Sequence, residues 1–202
     1  MKTVFDTIYE KNKWNSKESV SGVGSTLKKT RALRAVLPTF LREKEIHRFL
    51  DAPCGDFNWM KEVDLGDTHY IGGDIVEALV NKTREIHGNE KREFIHLDLV
   101  YDELPNADAI LCRDCMIHIP NDKVQTLLQN IKKSGIRWVM LTTYPDVEVN
   151  KKIREGSWRK INLQAAPFNL PAPDISWDEE ETGWNSGKFI GIWDFSQIEL
   201  TF

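Results

Sequence analysis

Short apolar runs alternate along this chain with stretches of amphipathic character. The runs have the length and composition of buried strands, which are usually four to eight residues long; they lie at 46–50, 69–75, 94–97, 107–112 and 136–143. The stretches 76–88 and 120–134 carry apolar residues at helical spacing, and we expect a first crossover helix to open over 58–62. This alternation predicts an α/β fold with a doubly wound, mostly parallel, Rossmann-like sheet and helices on both faces.

The segments on either side of this pattern differ from it. Residues 1–45 read as an N-terminal arm followed by a cap helix, which begins near Ser25 or Thr26 and reaches Pro38. Residues 156–187 contain three prolines and three tryptophans, which favours an ordered substrate lid over a plain linker. The run Phe189–Phe195 predicts an antiparallel strand at the sheet edge. We therefore expect one domain over 1–202, with a cofactor-binding core at 46–145.

The composition limits the kinds of partner that this protein is expected to bind. The chain has 202 residues and a net charge of −4, whereas a dedicated nucleic-acid binder is usually basic. No apolar run approaches the roughly 20 residues of a membrane helix, and the N-terminus lacks the apolar core of a secretion signal. These features predict a cytoplasmic protein that binds a small-molecule or saccharide acceptor, with no nucleic-acid or membrane partner. Oligomeric state stays open.

The cysteines do not indicate a metal site. Cys112 and Cys115 form a single C-x-x-C with no second pair and no histidine at ligand spacing, and Cys54 stands alone. We expect three reduced thiols that pack as small apolar groups, and no bound metal.

Acidic residues follow the predicted strands where a nucleotide-like ligand would bind. Asp51 ends the first run, and Pro53 and Gly55 turn the chain sharply after it. Asp74 ends the second run, about 20 residues beyond the glycine loop, where a carboxylate can accept hydrogen bonds from both ribose hydroxyls. Asp98 closes the third run. The sequence therefore predicts a ligand crevice at this edge of the sheet.

This series of strands and acids, together with R-D-C-M-I-H-I-P after the fourth strand, resembles the class I S-adenosylmethionine-dependent methyltransferases over about 46–145. The loop of that family is usually D/E-x-G-x-G-x-G. Here it is D-A-P-C-G-D-F, with Pro53 and Phe57 in two of the glycine places. The segments W-x-x-x-E-S-x-S-G-x-G-S, D-A-P-C-G-D-F-N-W-M and N-L-Q-A-A-P-F-N-L-P-A-P also resemble a group of small bacterial methyltransferases.

The resemblance implies S-adenosyl-L-methionine as the cofactor and a transferase activity. It implies that Asp51 and Gly55 line the methionine portion, that Asp74 holds the ribose, and that Asp98 accepts from the adenine amino group. The full set of cofactor-binding positions expected on this basis is Asp51, Ala52, Cys54, Gly55, Asp74, Ile75, Asp98, Leu99 and Arg113.

Methyl transfer to a hydroxyl needs a base that removes the proton from the acceptor. His118 is the candidate general base, and Asp114, four residues before it, is the candidate orienter or substitute. His118 can equally serve only to fix its loop by bonding to the backbone. The acceptor is expected to be a small hydroxylated metabolite or a saccharide, because the N/D-P-P-Y signature of nucleobase amino methyltransferases is absent.

The acceptor is expected to meet residues of the arm, the cap helix and the predicted lid. The glycines of Ser19–Ser25 leave backbone N–H groups free to face an anion, and the lid is expected to close over the crevice through Trp158, Arg159, Phe168 and Trp177. The substrate-binding candidates are Trp14, Ser21, Gly22, Arg31, Trp158, Arg159 and Phe168.

Two other function classes stay open at this point. A nicotinamide-dependent oxidoreductase would use the same crevice and ribose acid, but it would need a G-x-G-x-x-G loop that this chain lacks. A non-catalytic binding module with a decayed site is compatible with the glycine-poor loop. Binding of S-adenosylmethionine, of NAD or of neither distinguishes the three.

Overall fold

A computed structural model describes residues 1–202 as one seven-stranded sheet with four α-helices. The helices are α1 (Lys2–Glu10), α2 (Arg31–Glu43), α3 (Glu77–His87) and α4 (Asn121–Ser134). The strands are β1 (Arg48–Asp51), β2 (His69–Asp74), β3 (Arg92–His96), β4 (Ala109–Cys112), β5 (Trp138–Thr143), β6 (Ile175–Asp178) and β7 (Phe189–Asp194).

The strand order is β3-β2-β1-β4-β5-β7-β6. The first five strands in this order are parallel, and β7 runs antiparallel to both of its neighbours. In register, Leu50 of β1 lies beside Ile71 on one side and Ile110 on the other. The predicted fold class is confirmed.

The sheet is buried on both faces because successive side chains of a strand point to opposite sides. Leu50 packs in one core cluster with the buried stripe of α4, which includes Leu127 and Leu128. Phe49, the preceding residue, packs in a second cluster with Leu37 of α2. Helices therefore cover both faces, as the near-continuous apolar runs of the strands predict.

One strand was assigned to the wrong place by the sequence. Phe189–Asp194 does not lie at the sheet edge, because it pairs with β5 on one side and with β6 on the other. The strand at this edge of the sheet is Ile175–Asp178, which falls inside the predicted lid. Its Trp177 packs edge-on against Phe40 of α2, with 5.4 Å between ring centroids. Part of the expected lid is thus part of the sheet.

Two helix predictions also need correction. The connection from β1 to β2 contains only a short 3₁₀ turn, Met60–Glu62, and no crossover helix. The cap helix runs over Arg31–Glu43, so it begins after Thr30 and not near Ser25 or Thr26, and it continues through Pro38. Its apolar stripe continues beyond Pro38 to the buried Phe40 and Leu41, so the packing of those rings and methyls offsets the hydrogen bond that proline cannot donate.

The topology brings the carboxyl ends of β1, β2 and β4 to one edge of the sheet, next to the point where the strand order reverses. Asp51 and Asp74 end the first two of these strands, and Arg113 follows the third. Ligands of open α/β sheets bind at such a point. No helix in the structure is both long enough and apolar enough to cross a bilayer.

Candidate active site

A cavity of about 500 Å³ opens at this edge of the sheet. One end is lined by the β1 loop, the end of β2 and apolar residues, among them Leu79, Leu97 and Leu99. The other end is lined by charged and aromatic side chains that come from the arm, the β4 end and the C-terminal third of the chain. We call these the loop end and the aromatic end.

Asp51 is buried at the loop end, with 2% of its surface exposed. Burial raises the pKa of its carboxyl group to about 7, although the Tyr70 hydroxyl donates to Oδ2 over 2.8 Å and Arg113 lies near enough to oppose the shift. A positively charged group that enters the cavity would favour the ionised form of this carboxyl group and would be attracted to it.

Gly55 is the residue of the loop that no other amino acid could replace without strain. Its φ is +57°, and a Cβ there would lie 2.1 Å from Ser21 Oγ. Phe57 also has a left-handed backbone, with φ of +58°, but its ring is buried against Tyr70 and Phe94. Packing of this ring holds the loop at a position where related loops carry glycine.

Asp74 fastens the loop to the end of β2. Its Oδ2 accepts from Gly55 N over 3.1 Å, and its Oδ1 accepts from Val76 N over 3.0 Å. Burial raises the pKa of Asp74, while these backbone N–H groups act in the opposite direction. Each oxygen keeps a second lone pair, so the side chain can still accept from a ligand in the cavity that it lines.

The N-terminal arm forms the roof of the cavity. Phe5 and Tyr9 of α1 and the segment 20–25 line it, and Asp56 holds that segment in place. The Asp56 carboxylate accepts from Ser19 Oγ, Val20 N and Ser21 Oγ over 2.9, 2.9 and 3.3 Å. Sequence reasoning missed Asp56, although its place directly after Gly55 in the ligand loop was a signal that it could have used.

We expect Asp56→Ala to loosen the arm, because three hydrogen bonds of roughly 1 kcal/mol each are lost. Tryptic cleavage after Lys17, Lys28 or Lys29, followed by mass spectrometry, should become at least about fivefold faster. The matched control is Asp64→Ala, since Asp64 is exposed and accepts only from Gly66 N two residues away. Equal cleavage of Asp56→Ala and the wild type would contradict this holding role.

Four charged side chains form a buried network at the aromatic end. Lys188 is fully buried, and its Nζ lies 2.6 Å from Asp114 Oδ2 and 2.9 Å from Glu179 Oε2. Arg113 Nε donates to Glu179 Oε1 over 2.6 Å, and Arg113 Nη1 lies 3.2 Å from Asp114 Oδ2. The network ties the end of β4 to the β6–β7 hairpin. Sequence analysis did not identify Glu179 or Lys188 as part of the site.

Asp114 is held as a carboxylate. Burial alone would raise its pKa, but Lys188 and Arg113 hold it below the usual range. Its backbone is left-handed, with φ of +56°, and its N–H donates to Thr142 Oγ1 over 2.9 Å. A group so firmly ionised is a poor proton acceptor, so a substitute base at this position is disfavoured.

His118 lies on the cavity wall, with its ring 5.4 Å from that of Trp14. Its Nδ1 is 2.9 Å from the Ser157 carbonyl oxygen, so Nδ1 carries the proton and Nε2 is the acceptor of the neutral ring. Burial lowers the pKa of His118, which favours that neutral ring near pH 7. Asp114 makes no hydrogen bond to His118, so Ser157 takes the orienting place expected for Asp114.

The structure brings most of the predicted site residues to the cavity. At the loop end these are Asp51, Cys54, Gly55, Asp74, Ile75 and Leu99, and at the aromatic end or on the roof they are Trp14, Ser21, Gly22, Arg113, Asp114, His118 and Trp158. All three cysteines are free thiols.

Two of the expected cofactor residues lie outside the lining. Ala52 is buried in the sheet core. Asp98 turns its carboxylate to the backbone of its own loop, where Oδ1 accepts from Val100 N over 3.0 Å. Neither residue lines the cavity, so the structure does not support the contacts expected between these two residues and a cofactor.

Three of the expected acceptor residues also lie elsewhere. Arg31 pairs with Glu180 on the surface. Arg159 is buried and donates to the carbonyl oxygens of Met116 and Ile119 over 3.0 and 2.9 Å. Phe168 belongs to the core cluster beneath α4. Of the four side chains of the predicted lid, only Trp158 reaches the cavity.

The strand order and the crevice beside β1 define the fold of class I S-adenosylmethionine-dependent methyltransferases, as the resemblance implied. No protein-family model matches the chain, and no curated protein matches it in sequence.

Solved structures show the same fold at low identity. PigF with SAH aligns with a TM-score of 0.65 at 14% identity, over 95% of this chain and 62% of that one. Magnesium protoporphyrin IX methyltransferase from Synechocystis PCC 6803 with bound SAM aligns at 0.60 and 12%, over 95% of both chains. The PH0226 protein from Pyrococcus horikoshii OT3 aligns at 0.59 and 16%, over 90% and 92%.

Proposed function

We propose that this protein transfers the methyl group of S-adenosylmethionine to a hydroxyl of a small hydroxylated metabolite or saccharide. One observation carries the proposal. A single cavity is lined by Asp74, a carboxylate placed to bind a ribose, and by His118, a neutral histidine whose Nε2 is free. Two of the similar structures hold the cofactor or its product, which supports the same ligand here.

The loop end fits the proposed cofactor. Gly55, without a Cβ, lets Ser21 of the roof close directly over the loop, and Asp74 keeps free lone pairs for ribose hydroxyls. Asp51 offers a carboxylate to a ligand ammonium group. Ile75, Leu79 and Leu97 give the apolar walls that a flat adenine ring requires. When bound, S-adenosylmethionine supplies an electrophilic methyl group on its sulfonium.

The aromatic end supplies the acceptor chemistry. His118 Nε2 accepts the proton of the acceptor hydroxyl, and Nδ1 stays fixed by Ser157. Trp14 packs against the imidazole and limits its rotation. Asp114 forms ion pairs with Lys188 and Arg113, and these pairs keep the cavity wall in place. This structural role replaces the expected role of Asp114 as the residue that orients His118.

The cofactor part of the proposal is tested by Asp74→Ala. This change removes the ribose acceptor and leaves Gly55 N without its partner, so we expect S-adenosylhomocysteine binding to weaken by roughly 2 kcal/mol, or about thirtyfold. Isothermal titration calorimetry with S-adenosylhomocysteine and with NAD measures both ligands. The control is Asp67→Ala, an exposed acid outside the cavity.

Each result of that titration has a defined meaning. Binding of S-adenosylhomocysteine alone supports a methyltransferase, and binding of NAD alone would support an oxidoreductase. Binding of neither would support a decayed module. Wild-type affinity in Asp74→Ala would remove Asp74 from the site.

A further inference from the structure

The wall of the aromatic end has an equal number of positive and negative charges. In the lining, Lys29 pairs with Glu181 and Arg113 pairs with Asp114. Lys188 and Glu179 lie behind this lining and pair with each other and with the same network. Two cations and two anions therefore line this end, with one more of each behind them. A charged acceptor would lose part of its hydration on entering this end of the cavity, and the wall has no net charge to compensate for that loss. Binding of a charged acceptor is therefore unfavourable.

Two buried atoms of that wall have no hydrogen-bond partner. One is Nη2 of Arg113, a donor, and the other is Oε1 of Glu181, an acceptor. Both residues line the cavity and both are more than nine-tenths buried. The lining thus keeps one donor and one acceptor that no protein group uses, and side chains must shift slightly before a ligand reaches either atom. Buried polar groups without partners are rare and point to an absent ligand.

Tryptophan side chains surround this end of the cavity. Trp158 and Trp184 meet edge to face at its mouth with ring centroids 4.8 Å apart, and they are 39% and 71% exposed. Trp14 and Trp59 line it deeper in. Indole faces carry negative potential and pair favourably with polarised C–H groups or with ring edges. An exposed indole pair beside a polar cavity indicates that the ligand extends outward over it.

We propose that the acceptor is an uncharged, polyhydroxylated ring, a glycoside or a cyclitol, whose hydroxyls engage Arg113 Nη2 and Glu181 Oε1 while its C–H face stacks on Trp184. Each hydroxyl both donates and accepts, so the hydroxyls of one ring can satisfy both unpartnered atoms. An apolar acceptor would leave them unsatisfied. This inference rests on the proposed function and narrows its acceptor.

A transfer assay with methyl-tritiated S-adenosylmethionine tests the acceptor class. The uncharged probes are methyl α-glucoside, methyl α-mannoside, methyl α-rhamnoside and myo-inositol. Glucose 6-phosphate, glucosamine and catechol represent anionic, cationic and planar aromatic acceptors. We expect label in at least one uncharged ring, at a rate about tenfold or more above the charged and aromatic probes.

Variants of the subsite then test the contacts with the responding acceptor. Glu181→Met should raise KM about tenfold because the hydroxyl loses its acceptor, and Trp184→Ala should raise it roughly threefold to tenfold through lost stacking. Trp184 is exposed, so its replacement leaves the fold intact. The controls are Glu180→Gln, which changes the neighbouring acid outside the cavity, and Tyr101→Ala, which removes an exposed ring elsewhere.

The outcomes separate this inference from the proposed function. S-adenosylhomocysteine binding together with transfer only to charged or aromatic probes, or to none of the panel, overturns the inference and leaves the cofactor assignment standing. An unchanged KM in both subsite variants also overturns it. Failure to bind S-adenosylhomocysteine overturns the proposed function itself.

Discussion

His118→Ala should lower turnover by about a hundredfold to ten-thousandfold, the effect typical of removing a general base. An aliphatic hydroxyl is a weak nucleophile until its proton leaves, and no other neutral proton acceptor of comparable basicity lines the aromatic end. The affinity for S-adenosylhomocysteine should stay within about twofold, because His118 lies away from the loop end. Steady-state rates and calorimetry on the same preparation measure the two quantities.

The pH profile gives an independent test of the same residue. Burial lowers the pKa of His118, so the active neutral ring persists to a lower pH than that of a free histidine. Turnover should therefore fall in acid only at a lower pH than the titration of a free histidine would give, and His118→Ala should lose this acid limb. His47→Ala, an exposed histidine outside the cavity, is the control. Full activity in His118→Ala would leave positioning of the acceptor as the source of catalysis.

Lys188→Met should reduce the free energy of unfolding by about 3–5 kcal/mol, because it leaves the buried Glu179 and the partly buried Asp114 short of a cation. For a chain of this length that corresponds to a fall in Tm of roughly 6–20 °C. Urea denaturation and calorimetry measure it. Lys91→Met, which removes a pair in which both partners are exposed, should leave stability unchanged.

The loss in Lys188→Met should depend on pH with a defined sign. Lys188 helps to hold the pKa of Asp114 below its unfolded value near 3.9, so this contribution is complete above that pH and is lost as the pH falls. The difference between wild type and variant should therefore stay nearly constant between pH 7 and about pH 4 and shrink as the pH falls below about 4. Adding Asp114→Asn should restore part of the stability at pH 7. Equal stability of Lys188→Met and wild type would show that the network does not stabilise the fold.

Local pattern was enough to predict the parallel part of this fold. Short apolar runs closed by acids predict the strand ends at Asp51 and Asp74. Apolar residues at helical spacing and a terminal glycine predict the helices after β2 and β4. The antiparallel strand Phe189–Asp194 was misplaced at the sheet edge, because its true position depends on the pairing of Ile175–Asp178, a strand that was not predicted, beside it.

The candidate site was predictable only where its residues lie close to a strand end. Asp114 and Lys188 are 74 positions apart, and no spacing rule connects them. Arg159 and Phe168 are residue types that often bind ligands in a lid. In this structure Arg159 donates to backbone carbonyls of the 116–119 turn, and Phe168 packs in the core beneath α4. Long-range packing decides such cases, and a single sequence does not record it.

The roof held by Asp56 has a consequence for the order of events in a catalytic cycle. Ser21 lies against Gly55 and the segment 20–25 covers the cavity, so a ligand at the loop end is enclosed before an acceptor approaches from the tryptophan-lined mouth. Under the proposed function, exchange of spent for fresh cofactor requires the arm to lift. We expect a compulsory order, with the nucleoside first on and last off, and a first turnover faster than those that follow.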